Sequence, residues 1–242
     1  MKVVILAGGL GTRLSEYTHS IPKPMIKIGK HPIIIHIINH YSNYGLKDFY
    51  IAAGYKSNII ENYFVNFKKS GQTFTAKIFN KNCNITIVDT GLKTLTGGRL
   101  KRIKKYLLTD KNFMFTYGDG ICNINISKLK KFHFKNNRLI TVTAVRPPAR
   151  FGELILKKNT VVSFKEKPQV NAGWINGGFF IAKTSFLNLI KNDTVILEKK
   201  PLEAASKKKQ LIAFKHPGFW KCMDVKRDRD ELQKIYKLNK FK

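Results

Sequence analysis

The chain has 242 residues, 43% apolar and 12% aromatic, which is enough to bury one sizeable core and too apolar for intrinsic disorder. Forty-five basic residues against fifteen acidic ones give a net charge of +30, a balance that suits nucleic acid, a membrane surface or phosphorylated metabolites. No run of about 18 apolar residues occurs, and Met1–Leu6 leads straight into glycines with no signal-peptide cleavage region, so a soluble, cytoplasmic protein without membrane insertion is expected. Thirty-seven of the cations are lysines, spread along the whole chain without interleaved aromatics. They read as a solvated surface, and no nucleic-acid partner is expected. Cys83, Cys122 and Cys222 are scattered and odd in number, implying neither a disulfide framework nor a zinc cluster.

Lys2–Leu6 is a short β-branched run that predicts a buried strand opening into a glycine loop. Pro32 can start a helix running to about Asn43 and stopping at Gly45. Asp48–Ala53 predicts a second strand, and Ser57 caps a helix to about Phe67. Asn84–Asp89 is a third strand, Arg99–Leu107 a helix, and Phe113–Tyr117 a fourth strand entering Gly118-Asp119-Gly120. Alternating strands and helices predict an α/β fold, a mostly parallel mixed sheet flanked by helices. After about Arg138 the chain becomes strand-richer, with strands expected at Leu139–Val145, Glu153–Leu156, Val161–Glu166 and Trp174–Ala182. Helical patterns return at Ser185–Lys191, Glu198–Lys207 and Lys226–Lys237. No Gly/Ser/Pro linker separates the halves, so residues 1–242 are read as one domain.

Glycines after a first strand let backbone N–H groups approach phosphate, and Arg13 can neutralise it. Leu6-Ala7-Gly8-Gly9-Leu10-Gly11-Thr12-Arg13-Leu14 fits neither the dinucleotide fingerprint, because Leu14 stands where its third glycine belongs, nor the P-loop, which needs Gly-Lys-Ser/Thr. Pro22 and Pro24 stiffen the backbone around Lys23, which suits an anionic substrate or transition state. Asp119 stands between two glycines after a strand, and Asp224 closes an aromatic-rich stretch before a helix. His36 and His40 have zinc-ligand spacing, but Ile37 occupies the place of a catalytic glutamate. Cys222 is expected to pack as a small hydrophobe.

The stretch Gly8-Gly9-Leu10-Gly11-Thr12-Arg13-Leu14 followed by Pro22-Lys23-Pro24 resembles the signature of sugar-1-phosphate nucleotidylyltransferases. Asp89-Thr90-Gly91, Thr96-Gly97-Gly98-Arg99, Phe115-Thr116-Tyr117-Gly118-Asp119-Gly120, Glu166-Lys167-Pro168, Ile175-Asn176-Gly177-Gly178-Phe179-Phe180 and His216-Pro217-Gly218-Phe219-Trp220 extend the resemblance toward the glucose-1-phosphate cytidylyltransferase branch.

The resemblance implies a Rossmann-like fold with a nucleotide-binding half over about 1–138 and a sugar-binding half over about 139–242. It implies transfer of a cytidylyl group from CTP to α-D-glucose 1-phosphate, giving CDP-glucose and pyrophosphate; siblings use dTTP, UTP or GTP. Arg13 and Lys23 are the catalytic cations that it implies. Nucleotide contacts are implied at Leu6, Ala7, Gly8, Gly9, Leu10, Gly11, Thr12, Arg13, Lys23, Thr94, Arg99 and Gly118. Glu166, Lys167, Asn176 and Gly177 are implied on the sugar side, and Asp119 and Asp224 as Mg²⁺ ligands. A homo-oligomer is implied too, with the product passed to a CDP-glucose 4,6-dehydratase for deoxysugar and O-antigen synthesis. Residues 68–84 are shorter than the family pattern, Leu197 and Lys199-Lys200 replace more aromatic and acidic residues, and Val225 follows Asp224 where threonine is usual.

Overall fold

The computed structural model describes residues 1–146, 153–165 and 173–238. In chain order the first strands are β1 (Val3–Leu6), β2 (Lys27–Ile28), β3 (His31–Pro32), β4 (Asp48–Ala53), β5 (Lys68–Ser70), β6 (Thr73–Ile78), β7 (Lys81–Asp89), β8 (Asn112–Tyr117) and β9 (Gly120–Cys122). After them come β10 (Ile140–Val145), β11 (Glu153–Lys157), β12 (Thr160–Lys165), β13 (Ile175–Lys183), β14 (Leu211–His216) and β15 (Trp220–Cys222). The helices are α1 (Ser15–Thr18), α2 (Ile33–Ser42), α3 (Ser57–Phe64), α4 (Thr96–Ile103), α5 (Ile126–Asn136), α6 (Lys200–Lys207) and α7 (Lys226–Lys237).

Nine strands form one sheet in the order β14-β10-β13-β8-β1-β4-β7-β6-β5. Its centre, β8-β1-β4-β7, is parallel, while β13 runs antiparallel between β8 and β10. The sheet is therefore mixed, and strands from both halves of the chain belong to it. Strand β1 sits at its middle, so its residues alternate between two buried faces. Val3 and Ile5 join a core with α2 and Phe49, whereas Val4 and Leu6 join a second core with Leu100, Phe113 and Phe115. Burial on both sides is why the run is continuously apolar.

Several boundaries differ from the sequence expectations. Ser57 makes no capping bond and is the first residue of α3; the turn before it is made by Lys56 at φ 49°, and the helix ends at Phe64. Helix α4 begins three residues ahead of Arg99, at Thr96, and passes at Lys104–Tyr106 into a 3₁₀ turn. The segment expected as a helix at 185–191 is a 3₁₀ turn over Thr184–Leu189, and α6 starts at Lys200 with Pro201 in its first turn. Residues 68–78 add the β5–β6 hairpin to the sheet edge. Helix α5 has no counterpart in the expectations, nor has β14 at the far edge. Asn125 caps α5 by accepting the Lys128 N–H at 2.9 Å.

Candidate active site

Parallel strands β1, β4, β7 and β8 present their carboxyl ends at one edge, where open α/β sheets place ligands. Leu6 on β1 stands opposite Tyr117 on β8. The parallel ladder continues one residue further, with Gly118 donating its N–H to the Leu6 carbonyl at 2.9 Å. A Cβ at position 118 would lie 3.0 Å from Pro24 Cγ and 3.1 Å from that carbonyl, so any larger residue here would press on both.

Lys23 opens a 3₁₀ turn over Lys23–Met25, with extended Pro22 before it and Pro24 inside it, as the stiffened segment predicts. Its ammonium lies 2.5 Å from Asp119 Oδ2 and 2.8 Å from Asp224 Oδ1. The two aspartates are 105 residues apart in sequence. Short strands β9 and β15 bring them together by pairing antiparallel with Cys222 opposite Gly120, and Met223 donates its N–H to the Asp119 carbonyl at 2.9 Å. Arg13, largely exposed at the mouth, reaches Asp224 Oδ2 at 3.1 Å through Nη1.

These contacts set the charge states. Burial alone would lower the Lys23 pKa, but Asp119 and Asp224 more than offset it and hold the ammonium above its ordinary range. Burial alone would raise Asp224, and the Lys23 hydrogen bond with the Lys23 and Arg13 charges brings it below the usual carboxylate range. Burial, then the carboxylates of Asp224 and Asp119, push the Cys222 thiol up to about 12. It is half-buried and donates from Sγ to Asp224 Oδ2 at 3.8 Å, so it is a polar neighbour of the aspartate where the sequence predicts a packed hydrophobe.

A cavity of about 370 Å³ lies over this edge. Leu6, Ala7, Gly8, Gly9, Gly11, Thr12, Arg13, Lys23, Thr94, Arg99, Gly118, Asp119 and Asp224 all line it, so the structure brings most of the nucleotide and metal candidates together. Leu10 is half exposed and is not among the lining residues. Arg99 has a structural task as well. Buried at 4% exposure, its Nη1 donates to Thr90 Oγ1 at 2.7 Å, the Gly91 carbonyl at 2.9 Å and the Ala53 carbonyl at 3.1 Å, and its Nη2 to the Gly8 carbonyl at 2.8 Å. It thereby ties the glycine loop to the ends of β4 and β7.

Of the sugar-side candidates, Glu166 and Lys167 lie outside the described residues. Asn176 and Gly177 border a smaller cavity of about 40 Å³ beside Asp119 and Trp220. Gly177 is buried and its carbonyl accepts the Trp220 indole N–H at 2.7 Å. Pro24, Leu95, Thr96 and Tyr117 also line the larger cavity, although the sequence reading gave none of them a contact with substrate. Adjacency to the glycine, lysine and aspartate motifs is the signal that points to them. Among the described residues no cluster of three or more His, Cys, Asp or Glu could hold a metal, so any cation here rests on the aspartate pair and on ligand oxygens. No described helix is long and apolar enough to cross a membrane.

The nucleotidyl transferase family model matches residues 2–221. Glucose-1-phosphate cytidylyltransferase of Salmonella typhimurium is 45% identical over 99% of this chain and 97% of its own length. Mannose-1-phosphate guanyltransferase of Yarrowia lipolytica is 31% identical over 96% of this chain and 62% of its own. HddC from Yersinia pseudotuberculosis shares the fold at a TM-score of 0.72 and 23% identity, covering 97% of this chain and 99% of that one. Motif, fold and near-complete alignment converge, and the chain belongs to the nucleotidyl transferase family.

Proposed function

We propose that this chain transfers the cytidylyl group of CTP to α-D-glucose 1-phosphate, giving CDP-glucose and pyrophosphate. The supporting observation is the meeting of the glycine loop, the Lys23 ammonium and the Asp119–Asp224 pair in one cavity of a chain so similar to a relative of that name. A phosphate oxygen of the sugar phosphate attacks the α-phosphorus of CTP in line, and the P–O bond to pyrophosphate breaks without a covalent enzyme intermediate. Two polyanions must meet, so cations and backbone donors supply most of what the protein contributes. The loop Leu6–Arg13 cradles the triphosphate, Arg13 swings inward from the mouth, and Lys23 neutralises charge at the reacting phosphate. Thr94 and Gly118 border the nucleoside, while Glu166, Lys167, Asn176 and Gly177 receive the sugar.

Asp119 and Asp224 already converge on one cation, the Lys23 ammonium, and two carboxylates with phosphate oxygens are the donor set that Mg²⁺ accepts. That ion, when bound, supplies Lewis-acid stabilisation of phosphate oxygens. With the aspartate pair holding such an ion, the Lys23 ammonium would be free to face the substrate phosphate. The setting we propose is cytoplasmic synthesis of deoxysugars for O-antigen, by a homo-oligomer whose product passes to a CDP-glucose 4,6-dehydratase.

Pyrophosphate release with glucose 1-phosphate and CTP, dTTP, UTP or GTP side by side tests the reading. CTP is expected to be preferred; a preference for another nucleotide transfers the chain to a sibling activity, and no release with any of them overturns the proposal.

A further inference from the structure

Tyr117, like Asp119, lines both cavities: it borders the larger one with Thr96 and the smaller one with Asn176. Its ring is held from behind by Gly178, at φ 79°, where a Cβ would lie 2.6 Å from Tyr117 Cδ2. Its hydroxyl donates to Glu198 Oε1. The other Glu198 oxygen accepts from Thr96 Oγ1 at 2.8 Å, and Thr96 Oγ1 in turn accepts the Leu197 N–H at 2.9 Å. Both carboxylate oxygens of Glu198 are thus committed to donors on two separate elements, β8 and α4.

A phenol has one proton, and a carboxylate can only accept. With its O–H donated to Glu198 in a hydrogen bond, Tyr117 Oη can present only lone pairs elsewhere, and it accepts from Asn176 Nδ2 at 3.5 Å. Asn176 has its own polarity fixed too, because its Oδ1 accepts the Gly178 N–H at 2.8 Å. We propose that Glu198 is a positioning residue for the sugar-phosphate side: it accepts the Tyr117 O–H hydrogen bond and so fixes that phenol as an acceptor for a ligand hydroxyl, next to the Asn176 amide as a donor. The ligand class is a hydroxylated ring carrying phosphate, and the inference rests on the function proposed above. Glu198 touches no reacting atom in this role; it acts through Tyr117.

Steady-state kinetics of Glu198→Gln, Tyr117→Phe and the double variant test it. A glutamine can accept from Tyr117 or from Thr96 but not from both with the same carbonyl and a facing amide, so the phenol loses its fixed direction. Tyr117→Phe keeps the ring wall of the nucleotide cavity and removes only the hydroxyl. Each single variant is expected to raise the KM for glucose 1-phosphate about tenfold, roughly one well-made hydrogen bond, with the KM for CTP and kcat within about twofold. The double variant is expected to be no worse than Tyr117→Phe alone, since the pair acts as a unit. Thr96→Val, which removes the other donor to Glu198, should shift the same KM in the same direction. It supplies the same readout if Glu198→Gln fails to fold. Additive losses in the double variant, or an equal rise in the KM for CTP, overturn the inference while leaving the reaction intact. A wild type that releases no pyrophosphate overturns the proposed function instead.

Discussion

The Arg99 guanidinium fills the space in front of Gly8: a Cβ at position 8 would stand 2.0 Å from Arg99 Nη1, and Nη2 donates to the Gly8 carbonyl at 2.8 Å. The glycine is there so that a buried fork can reach the loop. Gly8→Ala should therefore destabilise the protein by about 1–3 kcal/mol, the usual cost of overpacking, and weaken nucleotide binding as the loop moves. Arg99→Lys keeps the charge but cannot reach four acceptors at once, and should lose a comparable about 1–3 kcal/mol by stranding buried carbonyls. Because each change disturbs the same contact, the double variant should cost less than the sum. Urea denaturation measures all three, and an unchanged midpoint for Gly8→Ala would show that the loop yields freely.

How far the sequence carried this picture depends on the range of the interactions involved. The β1 strand was legible because both faces are buried, and the Pro22-Lys23-Pro24 turn because proline fixes φ locally. Asp119 was legible as a residue after a strand, but its partnership with Asp224 came only through resemblance. That contact is made by strands of three residues pairing across the chain, which no local pattern encodes. Helix α5 was hidden because its lysines crowd a short buried stripe of Ile126, Leu129 and the polar His133. Glu198 gave no signal at all: its meaning lies in Tyr117 and Thr96, which reach it from elsewhere in the chain.

Lys23 gives the sharpest catalytic expectation. Removing one preorganised electrostatic donor costs on the order of 10²–10³ in turnover, and Lys23→Ala should fall in that range. Lys23→Arg should rescue poorly, because a planar fork cannot sit between two carboxylates as a compact ammonium does. Single-turnover rates check this. A loss of only a few-fold would make the lysine a structural counter-ion to Asp119 and Asp224.

The same pair makes a metal prediction with two readouts. Asp119→Asn and Asp224→Asn should each abolish most turnover while leaving the far-UV circular dichroism unchanged, and EDTA should do so reversibly. Independently of activity, titration of the nucleotide-free protein with Mn²⁺ should show tighter binding in Lys23→Ala than in wild type, since the ammonium contends for both carboxylates. Full turnover in Asp224→Asn, or activity indifferent to EDTA, would remove the metal from the proposal.

Stability should decline in mild acid for a reason remote from the cleft. Burial, with the Lys183 charge adding to it, pulls His133 down to about 4, and burial does the same for His40. His133 is only 1% exposed, with its ring nitrogens on Thr141 Oγ1 at 2.8 Å and Asn112 Oδ1 at 3.2 Å. Both histidines are neutral when folded and take up protons near pH 6.5 when unfolded. The unfolded state therefore binds more protons between pH 6.5 and 4, and stability is full above that window and is lost as pH falls through it. Urea midpoints at pH 7.5, 6 and 5 should fall in that order. A His133→Gln variant should show a shallower decline, and an equal slope would clear His133 of the effect.

The excess charge is separable from the active site. Arg13, Lys23 and Arg99 line the cavity, whereas Lys128, Lys130, Lys131 and Lys135 sit on α5 and are outside its lining. Raising salt from about 0.05 to 0.3 M shortens the Debye length from roughly 14 to 6 Å and screens the global field. Apparent affinity for CTP, itself a polyanion, should weaken modestly while saturated turnover changes little. Contacts within a partly dry cleft are screened much less than charges in open solvent. Replacing the four α5 lysines together by glutamine should likewise spare saturated turnover, measured as kcat at saturating CTP and glucose 1-phosphate. A folded quadruple variant that loses turnover as severely as Lys23→Ala would make the surface charge part of the catalytic machinery, and the +30 could no longer be read as solvation alone.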